Sequence, residues 1–249
     1  MHVELKNTTR KLCVIGDPVL HSKSPLIQNT MLSALGLDYI YLCQPVSAGR
    51  AAEWLSAAKV AGYAGFNATM PHKLDLVPLM DELDEDARLY QSVNTVCIKE
   101  GKVYGYNTDG RGFLQALLDA GVDPAGKRVL LLGAGGAAKA VALKLVQQGC
   151  VSLTVCNRTL ERAEMLCQFN AAVMRAATLR LEASRADLLV NCTSLGMGGV
   201  AGQFEDFHFL DALPHAAAVC DLIYHPAETE LLAQARLRGH RTLNGLGML

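Results

Sequence analysis

The sequence predicts an α/β protein of two domains, the second built on a doubly wound parallel sheet. Three observations lead to this prediction. Short runs rich in Val, Ile and Leu alternate with longer segments of helical spacing. The alternation starts afresh after residue 110, and a glycine-rich turn at 133–136 joins a strand to a helix. Near-continuous apolar strands between helices are typical of a parallel sheet covered on both faces.

In the first half, apolar runs predict strands at 12–15, 39–44, 65–69, 93–98 and 103–106. Helices are predicted at 25–35 and 48–61, because Pro25 suits a first turn, Gly36 ends the first helix, and Leu55 lies on one apolar face of the second. A third helix is expected after Pro71, interrupted at Pro78.

The second half begins with a helix at 110–120, which Gly121 ends. Strands follow at 128–132, 151–156, 188–191 and 219–223, and helices at 137–148, 160–169 and 227–238. No flexible linker marks the boundary. We expect one domain at 1–109 and a second at 110–243.

Composition excludes several classes of protein. Of 249 residues, 24 are acidic and 23 basic, so the net charge of −1 gives no global attraction to nucleic acid or to an anionic membrane. The most apolar run, at 129–138, is well short of the ~20 residues that span a bilayer. The polar N-terminal segment does not have the apolar core of a signal peptide, which predicts a cytoplasmic protein.

Cysteine and histidine spacing predicts no metal site. The eight cysteines include no C-x-x-C pair, and the seven histidines never lie at i and i+4. Five cysteines lie in apolar, strand-like runs, where cysteine behaves as a small hydrophobic residue. We expect reduced thiols.

A nucleotide-binding turn is predicted at 133–138. The turn directly follows a predicted strand, begins a helix, and matches G-x-G-x-x-(G/A) with Gly133, Gly135 and Ala138 at the small positions. Gly133 allows the tight turn, Gly135 lets the backbone approach a pyrophosphate, and the helix N-terminus attracts the anion. A turn without ligand is the alternative, but this context favours a Rossmann-type domain. The candidate residues of the turn are Gly133, Ala134, Gly135, Gly136 and Ala137.

The end of the next strand indicates NADP(H) as the cofactor. NAD enzymes usually place Asp or Glu there to hold the ribose hydroxyl, but this chain has Asn157, Arg158 and Thr159. The guanidinium of Arg158 suits a 2′-phosphate, and Arg162 adds a second charge on the same side of a helix. The alternative is a pair of arginines that are merely solvated.

Three polar segments lie where strands of the first half end. They are 21–25 (His-Ser-Lys-Ser-Pro), 67–73 (Asn-Ala-Thr-Met-Pro-His-Lys) and 107–110 (Asn-Thr-Asp-Gly). Each has a structural explanation: Ser24 and Asp109 suit helix N-caps, and Lys73 suits the surface. Considered one at a time, these residues do not distinguish such a structural role from a catalytic one.

Together and in this order, the segments resemble the shikimate dehydrogenase family. Further matching motifs cover nearly the whole chain: 16–18 (Gly-Asp-Pro), 93–95 (Val-Asn-Thr), 157–159, 191–196, Tyr224 and 245–249 (Gly-Leu-Gly-Met-Leu). The resemblance implies that 1–109 is a substrate-binding and catalytic domain and that 110–243 is an NADP-binding Rossmann domain, with a cleft between them. It also implies NADPH-dependent reduction of 3-dehydroshikimate to shikimate, a step of chorismate and aromatic amino acid biosynthesis.

The resemblance also implies roles for individual residues. Lys73 and Asp109 match the catalytic pair: the lysine stabilises or protonates the oxygen that becomes negative as hydride arrives, and the carboxylate keeps that lysine charged. Substrate contacts are implied for Ser22 and Ser24 at the carboxylate, for Thr69, Asn94 and Asp109 at the ring hydroxyls, and for Tyr224. Asn67 is expected to bind substrate from the same side as Thr69; the alternative is a turn residue. Cofactor contacts are implied for Thr193, Ser194, Gly245 and Met248.

One departure concerns the C-terminus. In the family, the Gly-Leu-Gly-Met-Leu string leads into a helix that returns to the substrate domain, whereas this sequence stops at Leu249. We therefore expect 244–249 to be the start of a shortened returning segment.

Two other functions are alternatives to a shikimate dehydrogenase: a quinate or dual quinate/shikimate dehydrogenase, and a non-catalytic NADP(H)-binding sensor. The expected partner is the small-molecule substrate, without nucleic acid or membrane, in a monomer or homodimer.

Overall fold

The protein is described from a computed structural model, which covers residues 5–177, 179 and 183–249. The chain divides into two compact units, Met1–Thr108 and Asp109–Leu249. The first four residues of the predicted first domain therefore lie outside the described part of the chain. Each unit contains one six-stranded sheet among the described residues.

The first unit has a mixed sheet in the order β2-β1-β3-β5-β6-β4. β1 lies parallel to both β2 and β3, whereas β5 is antiparallel to β3 and β6. Its elements are β1 (Arg10–Gly16), α1 (Ser24–Ala34), β2 (Tyr39–Pro45), α2 (Ala51–Val60), β3 (Tyr63–Ala68), β4 (Glu82–Leu83), α3 (Glu85–Tyr90), β5 (Thr95–Lys99) and β6 (Lys102–Tyr106).

Alternation along β1 gives this sheet two buried faces. Cys13 and Ile15 contribute to a cluster with Phe66 on β3 and Leu55 on α2. Val14, between them, belongs to a second cluster that includes Leu32 of α1 and Tyr41 of β2. This division follows from the period of two along a strand, because successive side chains point to opposite faces of the sheet. The polar segments come after the carboxyl ends of β1 and β3.

In the second unit every strand pair is parallel, in the order β12-β11-β10-β7-β8-β9. This confirms the predicted doubly wound sheet. The elements are α4 (Asp109–Asp119), β7 (Arg128–Leu132), α5 (Gly136–Gln147), β8 (Ser152–Cys156), α6 (Leu160–Cys167), β9 (Met174–Ala176), β10 (Leu188–Asn191), α7 (His208–Asp211), β11 (Ala218–Asp221), α8 (Glu230–Leu237) and β12 (Arg241–Leu243).

The apolar run of β7 explains why this sheet is covered on both faces. Leu130 and Leu132 join a cluster with Leu189 of β10, Phe209 of α7 and Leu232 of α8. Leu131 is also fully buried. Burying a leucine side chain contributes about 1.5–3 kcal/mol, so these central strands form the stable part of the unit.

The predicted helix after Pro71 is wrong. The chain there forms turns and a single 3₁₀ helix, Val77–Leu79, since Pro78 has no N–H to continue a helix. The helix of this region comes later, as α3. Its start is fixed by Asp84, whose carboxylate accepts a hydrogen bond from the Ala87 N–H at 2.7 Å.

The start of α1 also differs in detail from the prediction. Ser24 is its first residue, and Lys23 occupies the N-cap position expected for the serine. The Ser22 hydroxyl oxygen accepts a hydrogen bond from the Ser24 N–H at 3.2 Å, so the serine two residues earlier supplies the side-chain acceptor. Pro25 lies in the first turn, as predicted.

The described residues contain no helix that is both long and apolar enough to cross a membrane. All eight cysteines are free thiols. In the same part of the chain, no three His, Cys, Asp or Glu side chains are grouped so that they could hold a metal ion.

Candidate functional site

The second sheet has a topological switch point between β7 and β10. The chain runs from β7 outward through β8 and β9, and then from β10 outward through β11 and β12 on the other side. Ligands of open α/β sheets bind at the carboxyl ends of the strands that flank such a point. Gly133 follows β7 there, and Cys192 and Thr193 follow β10.

The geometry at Gly133 requires a glycine. Its φ is +103°, and its N–H donates to the Cys156 carbonyl oxygen at 2.8 Å. A Cβ atom at this position would lie 3.1 Å from Cγ2 of Thr193 and 3.2 Å from the Cys192 carbonyl oxygen. The loops after β7 and β10 therefore approach each other too closely for a side chain.

Open space lies beside the other two glycines of the turn. A Cβ atom on Gly135 or on Gly136 would meet nothing within 4 Å. α5 begins at Gly136, and the buried Ala138 packs this helix against the sheet. A helix N-terminus next to open space is suited to a pyrophosphate, so the residues present fit a dinucleotide. Ala134 and Ala137 are half-buried on either side of the two glycines.

The turn after β8 presents two arginines to solvent. The Asn157 amide donates to the Thr159 carbonyl oxygen at 2.7 Å, which fixes the turn before α6. Arg158, Thr159 and Arg162 are exposed, and the Arg162 N–H donates to the Thr159 carbonyl oxygen at 3.2 Å. Within the described residues, neither guanidinium pairs with a carboxylate. Both are available to an anion.

A buried polar network follows β10 and β11, and the sequence did not predict it. Asp221 is 1% exposed and accepts hydrogen bonds from the Asn191 amide at 3.0 Å, the Ile223 N–H at 3.0 Å and the Thr229 hydroxyl at 2.7 Å. Burial raises the pKa of Asp221, and the three hydrogen bonds oppose that shift. The signal was an Asn and an Asp ending two apolar strands.

Asn191 transmits this arrangement to Thr193. Its side-chain oxygen accepts from the Thr193 N–H at 3.0 Å and from the Thr193 hydroxyl at 2.7 Å. The hydroxyl in turn accepts from the Leu195 N–H at 3.2 Å. Ser194, between them, is exposed.

The C-terminal segment packs within the second unit. Gly245 donates its N–H to the Ile223 carbonyl oxygen at 3.1 Å, and a Cβ atom on it would overlap the Leu222 carbonyl. The segment Gly245–Met248 is a 3₁₀ helix, and its Met248 carbonyl lies against Gly112 of α4. The contacts of this segment thus lie with α4 and the end of β11. The expected return to the first domain stays a prediction.

Tyr224 lies just after β11 and is half-buried. Burial raises the pKa of its hydroxyl, which therefore stays protonated over the usual assay range.

In the first unit, two asparagines hold the ends of the central strands. The Asn67 amide donates to the Thr95 hydroxyl at 2.9 Å, and its oxygen accepts from the Tyr41 hydroxyl at 2.7 Å. Asn94 is buried, and its oxygen accepts from the Thr108 N–H at 3.0 Å. The Asn67 side chain thus links β3 to β2 and to β5, and Asn94 links the start of β5 to the loop after β6.

The segment that bears Lys73 is anchored at both sides. The Thr69 N–H donates to the Ile15 carbonyl oxygen at 2.9 Å, and the Lys73 carbonyl accepts from the Val93 N–H at 2.8 Å. Between them, His72 is fully buried, and its Nε2 atom lies 2.8 Å from the Val46 carbonyl oxygen. Because a carbonyl only accepts, Nε2 carries the hydrogen. The sequence did not predict this role for His72.

Lys73 is half-buried in the first unit, and Asp109, also half-buried, is the first residue of α4 in the second. Ser22 and Ser24, both half-buried, lie at the start of α1. The predicted substrate residues of the first unit therefore lie at strand ends and at one helix start.

Comparison with known proteins gives consistent matches. The sequence model of the shikimate dehydrogenase substrate binding domain matches residues 14–96, and that of shikimate / quinate 5-dehydrogenase matches residues 117–196. A "Shikimate dehydrogenase (NADP(+))" of Alkaliphilus metalliredigens is 41% identical over 259 aligned residues, covering 100% of this chain and 90% of that protein. The chain belongs to the shikimate dehydrogenase family.

Solved structures of shikimate dehydrogenases share the fold. The Aquifex aeolicus enzyme superposes with a TM-score of 0.90 at 34% identity, covering 98% of this chain and 90% of its own. A Thermus thermophilus structure, in complex with NADP(H) and shikimate, has a TM-score of 0.87 at 34% identity, covering 96% and 88%. The predicted family and the predicted fold class are confirmed, and so is the prediction that the protein is an oxidoreductase.

Proposed function

We propose that the protein is an NADP-dependent shikimate dehydrogenase, which reduces 3-dehydroshikimate to shikimate reversibly in chorismate and aromatic amino acid biosynthesis. The observation that carries this proposal is the similarity to the Alkaliphilus metalliredigens enzyme over the full chain. The open turn at Gly135 and Gly136 and the exposed Arg158 support it, because a dehydrogenase using NADP needs both a pyrophosphate site and a cation for the 2′-phosphate.

The cofactor contacts that we propose divide into three groups. The turn 133–137 holds the pyrophosphate, and the segment 157–159 with Arg162 holds the adenosine end and its 2′-phosphate. In the third group, Thr193 and Ser194 lie near the adenosine and phosphate end, and Gly245 and Met248 flank the nicotinamide. The cofactor supplies the hydride, and these residues determine its affinity and orientation.

For the substrate, we propose that the hydroxyls of Ser22 and Ser24 bind the carboxylate at the start of α1. Donors at a helix N-terminus suit an anion, and both serines are half-buried there. Thr69, Asn94 and Asp109 bind ring hydroxyls, and Tyr224 reaches toward the substrate. Asn67 is a further substrate-binding residue, and its amide donates a hydrogen bond to the Thr95 hydroxyl.

For catalysis, we propose that the Lys73 ammonium donates a hydrogen bond, and then a proton, to the ketone oxygen as hydride adds to the carbonyl carbon. Negative charge grows on that oxygen, and a cation within hydrogen-bond reach lowers the energy of the transition state. Asp109 keeps the lysine charged and oriented. In the reverse direction, neutral Lys73 accepts the proton from the substrate hydroxyl.

The proposed domains are those predicted from the sequence: 1–109 for substrate and catalysis, and 110–243 for NADP(H). A cytoplasmic location, and a monomer or homodimer, are proposed with them.

Four assays test the proposed function. The purified protein is supplied with shikimate or quinate, each with NADP or NAD, and the reduced nicotinamide is followed by its absorbance. We expect the highest kcat/KM for shikimate with NADP. A preference for quinate with NAD would identify the protein as a quinate dehydrogenase instead. NADPH binding without turnover on either acid would favour a cofactor sensor and overturn the proposal.

A further inference from the structure

A buried carboxylate lies behind the predicted cofactor site. Asp221 ends β11, next to β10, whose own last residue is Asn191; both side chains are buried. The carboxylate accepts three hydrogen bonds from the described residues, and no Lys or Arg side chain is among the donors. An acid buried without a cation costs stability, so its presence at this position calls for a role.

One oxygen of Asp221 binds both the last residue of β10 and the backbone after β11. Oδ1 accepts both from the Asn191 amide and from the Ile223 N–H, each at 3.0 Å, whereas Oδ2 accepts from Thr229 at 2.7 Å. The hydrogen bond from Asn191 fixes which end of its amide is the oxygen. That oxygen therefore points to Thr193, where it accepts from both the N–H and the hydroxyl.

Thr193 lies directly against the nucleotide turn. Its Cγ2 atom is 3.1 Å from where a Cβ atom of Gly133 would be, so its rotamer limits the space beside the first glycine. A rotation of the Asn191 amide would replace the acceptor by an NH₂ group and repel the Thr193 N–H. The orientation of Thr193 thus depends on Asp221 through a single intervening side chain.

The same oxygen holds a second loop. Through the Ile223 N–H, Asp221 fixes the backbone that follows β11, and the Ile223 carbonyl accepts from Gly245 at 3.1 Å. The Leu222 carbonyl, one residue earlier, lies where a Cβ atom of Gly245 would be. One carboxylate therefore fixes the loop after β10 and the loop after β11 together.

We infer that Asp221 is a positioning residue for the dinucleotide, which holds Thr193 against the glycine turn through Asn191 and holds the Ile223 backbone behind Gly245. This inference rests on the cofactor site of the proposed function. Asp221 touches neither cofactor nor substrate in this role. It acts by limiting the conformations of two loops before the cofactor arrives, which lowers the entropic cost of binding.

The test compares three variants for direct NADPH binding, measured by quenching of protein fluorescence, and for thermal stability. Asp221→Ala removes the acceptor. Asp221→Asn is the conservative variant: its amide oxygen keeps the two N–H donors, and its NH₂ group donates to the Thr229 hydroxyl. Cys220→Ala is the matched control, because Cys220 is the preceding buried residue of β11 and its loss affects packing alone.

We expect Asp221→Ala to raise the Kd for NADPH at least tenfold, and Asp221→Asn to stay within threefold of the wild type. Cys220→Ala should lower the melting temperature without changing the Kd more than twofold. Should Asp221→Ala fail to fold, Asn191→Ala tests the same link from its other side, with the same expected loss of NADPH affinity.

Two results would overturn the inference and are distinguishable. If the wild type binds NADPH and the folded Asp221→Ala protein, or Asn191→Ala in its place, binds it as tightly as Cys220→Ala does, only the positioning role is wrong. If the wild type itself binds no NADPH, the proposed function fails and the inference fails with it.

Discussion

We propose that the choice between NADP and NAD depends on Arg158. It is exposed after β8, at the position where an acid would hold the ribose hydroxyl of NAD. Arg158→Ala should weaken NADPH binding by on the order of 1–3 kcal/mol, the worth of a charge-assisted hydrogen bond, and leave NADH binding nearly unchanged. Isothermal titration with both cofactors measures this difference.

Arg236→Ala is a suitable control for Arg158→Ala, since its guanidinium pairs with Glu228 on the surface. That variant should bind both cofactors as the wild type does. Equal losses of NADPH and NADH affinity in Arg158→Ala would contradict the proposed 2′-phosphate contact.

Asp187 gives a prediction of pH-dependent stability. Its carboxylate is bound by Arg128 through Nε at 3.0 Å and Nη2 at 2.9 Å, and these contacts lower the pKa of Asp187 from 3.8 to about 2. Because the folded-state pKa is the lower one, the stabilisation is complete above about pH 4 and is lost as the pH falls toward 2. The pair is partly exposed, so solvent screening limits it to about 1 kcal/mol or less.

Asp187→Asn should therefore lower the free energy of unfolding at pH 7 by up to about 1 kcal/mol, and the difference from the wild type should vanish near pH 2. Urea unfolding at a series of pH values measures it. Asp123→Asn, which keeps the acceptor for the Ala125 N–H, is the control and should show no such trend. A difference that grows as the pH falls would contradict the assignment.

Single residues were predictable where a motif or a local turn defined them. Gly133 and Arg158 were placed correctly, at the end of β7 and the end of β8, because the strand–turn–helix pattern is local in sequence. Asn191, Asp221 and His72 were not foreseen. Asn191 and Asp221 are 30 residues apart and meet because they end the neighbouring strands β10 and β11. His72 reaches the Val46 carbonyl across 26 residues of sequence.

At the level of elements, the 3₁₀ helix Gly245–Met248 depends on close backbone packing. A Cβ atom on Gly245 would overlap the Leu222 carbonyl, so Gly245→Ala requires a backbone shift that typically costs about 1–3 kcal/mol. We expect a lower melting temperature and a higher KM for NADP. Differential scanning calorimetry and initial-rate kinetics check both.

Gly247→Ala is the matched control in the same helix. Its Cβ atom would meet Cβ of Ala116 at 3.1 Å, a contact that a shift of a few tenths of an ångström relieves, whereas the overlap at Gly245 needs a larger one. The melting temperature should therefore fall less in Gly247→Ala than in Gly245→Ala. Equal effects of the two substitutions would show that the contact with Leu222 does not determine the position of this segment.

Element prediction succeeded where periodicity was strong and failed where it was interrupted. The buried strands β7 and β10 were predicted with their observed bounds. The segment after Pro71 was predicted as a helix, but prolines divide it into turns, and α3 was overlooked despite the N-cap at Asp84. Two- and three-residue strands such as β4, β9 and β12 are too short to show alternation and form only by pairing with a neighbouring strand.

For the whole molecule, each unit contributes a different part of the proposed reaction. The parallel sheet of the second unit was predictable from its uninterrupted apolar strands. The antiparallel pairing of β5 with β3 and β6 in the first unit was not, since alternation along a strand does not encode its direction. Roles of Lys73 and Asp109 could be inferred only from the family resemblance, because each residue alone has an ordinary structural explanation.

We propose that Lys73 is the catalytic acid of this dehydrogenase. Measuring kcat, KM and the Kd for NADPH in Lys73→Ala tests this role, with Lys59→Ala, at an exposed position of α2, as control. We expect kcat to fall by roughly 10²–10⁴-fold in Lys73→Ala, with KM and Kd little changed and the control unaffected. A Lys73→Ala protein that keeps the wild-type kcat, or that loses activity only because NADPH no longer binds, would contradict it.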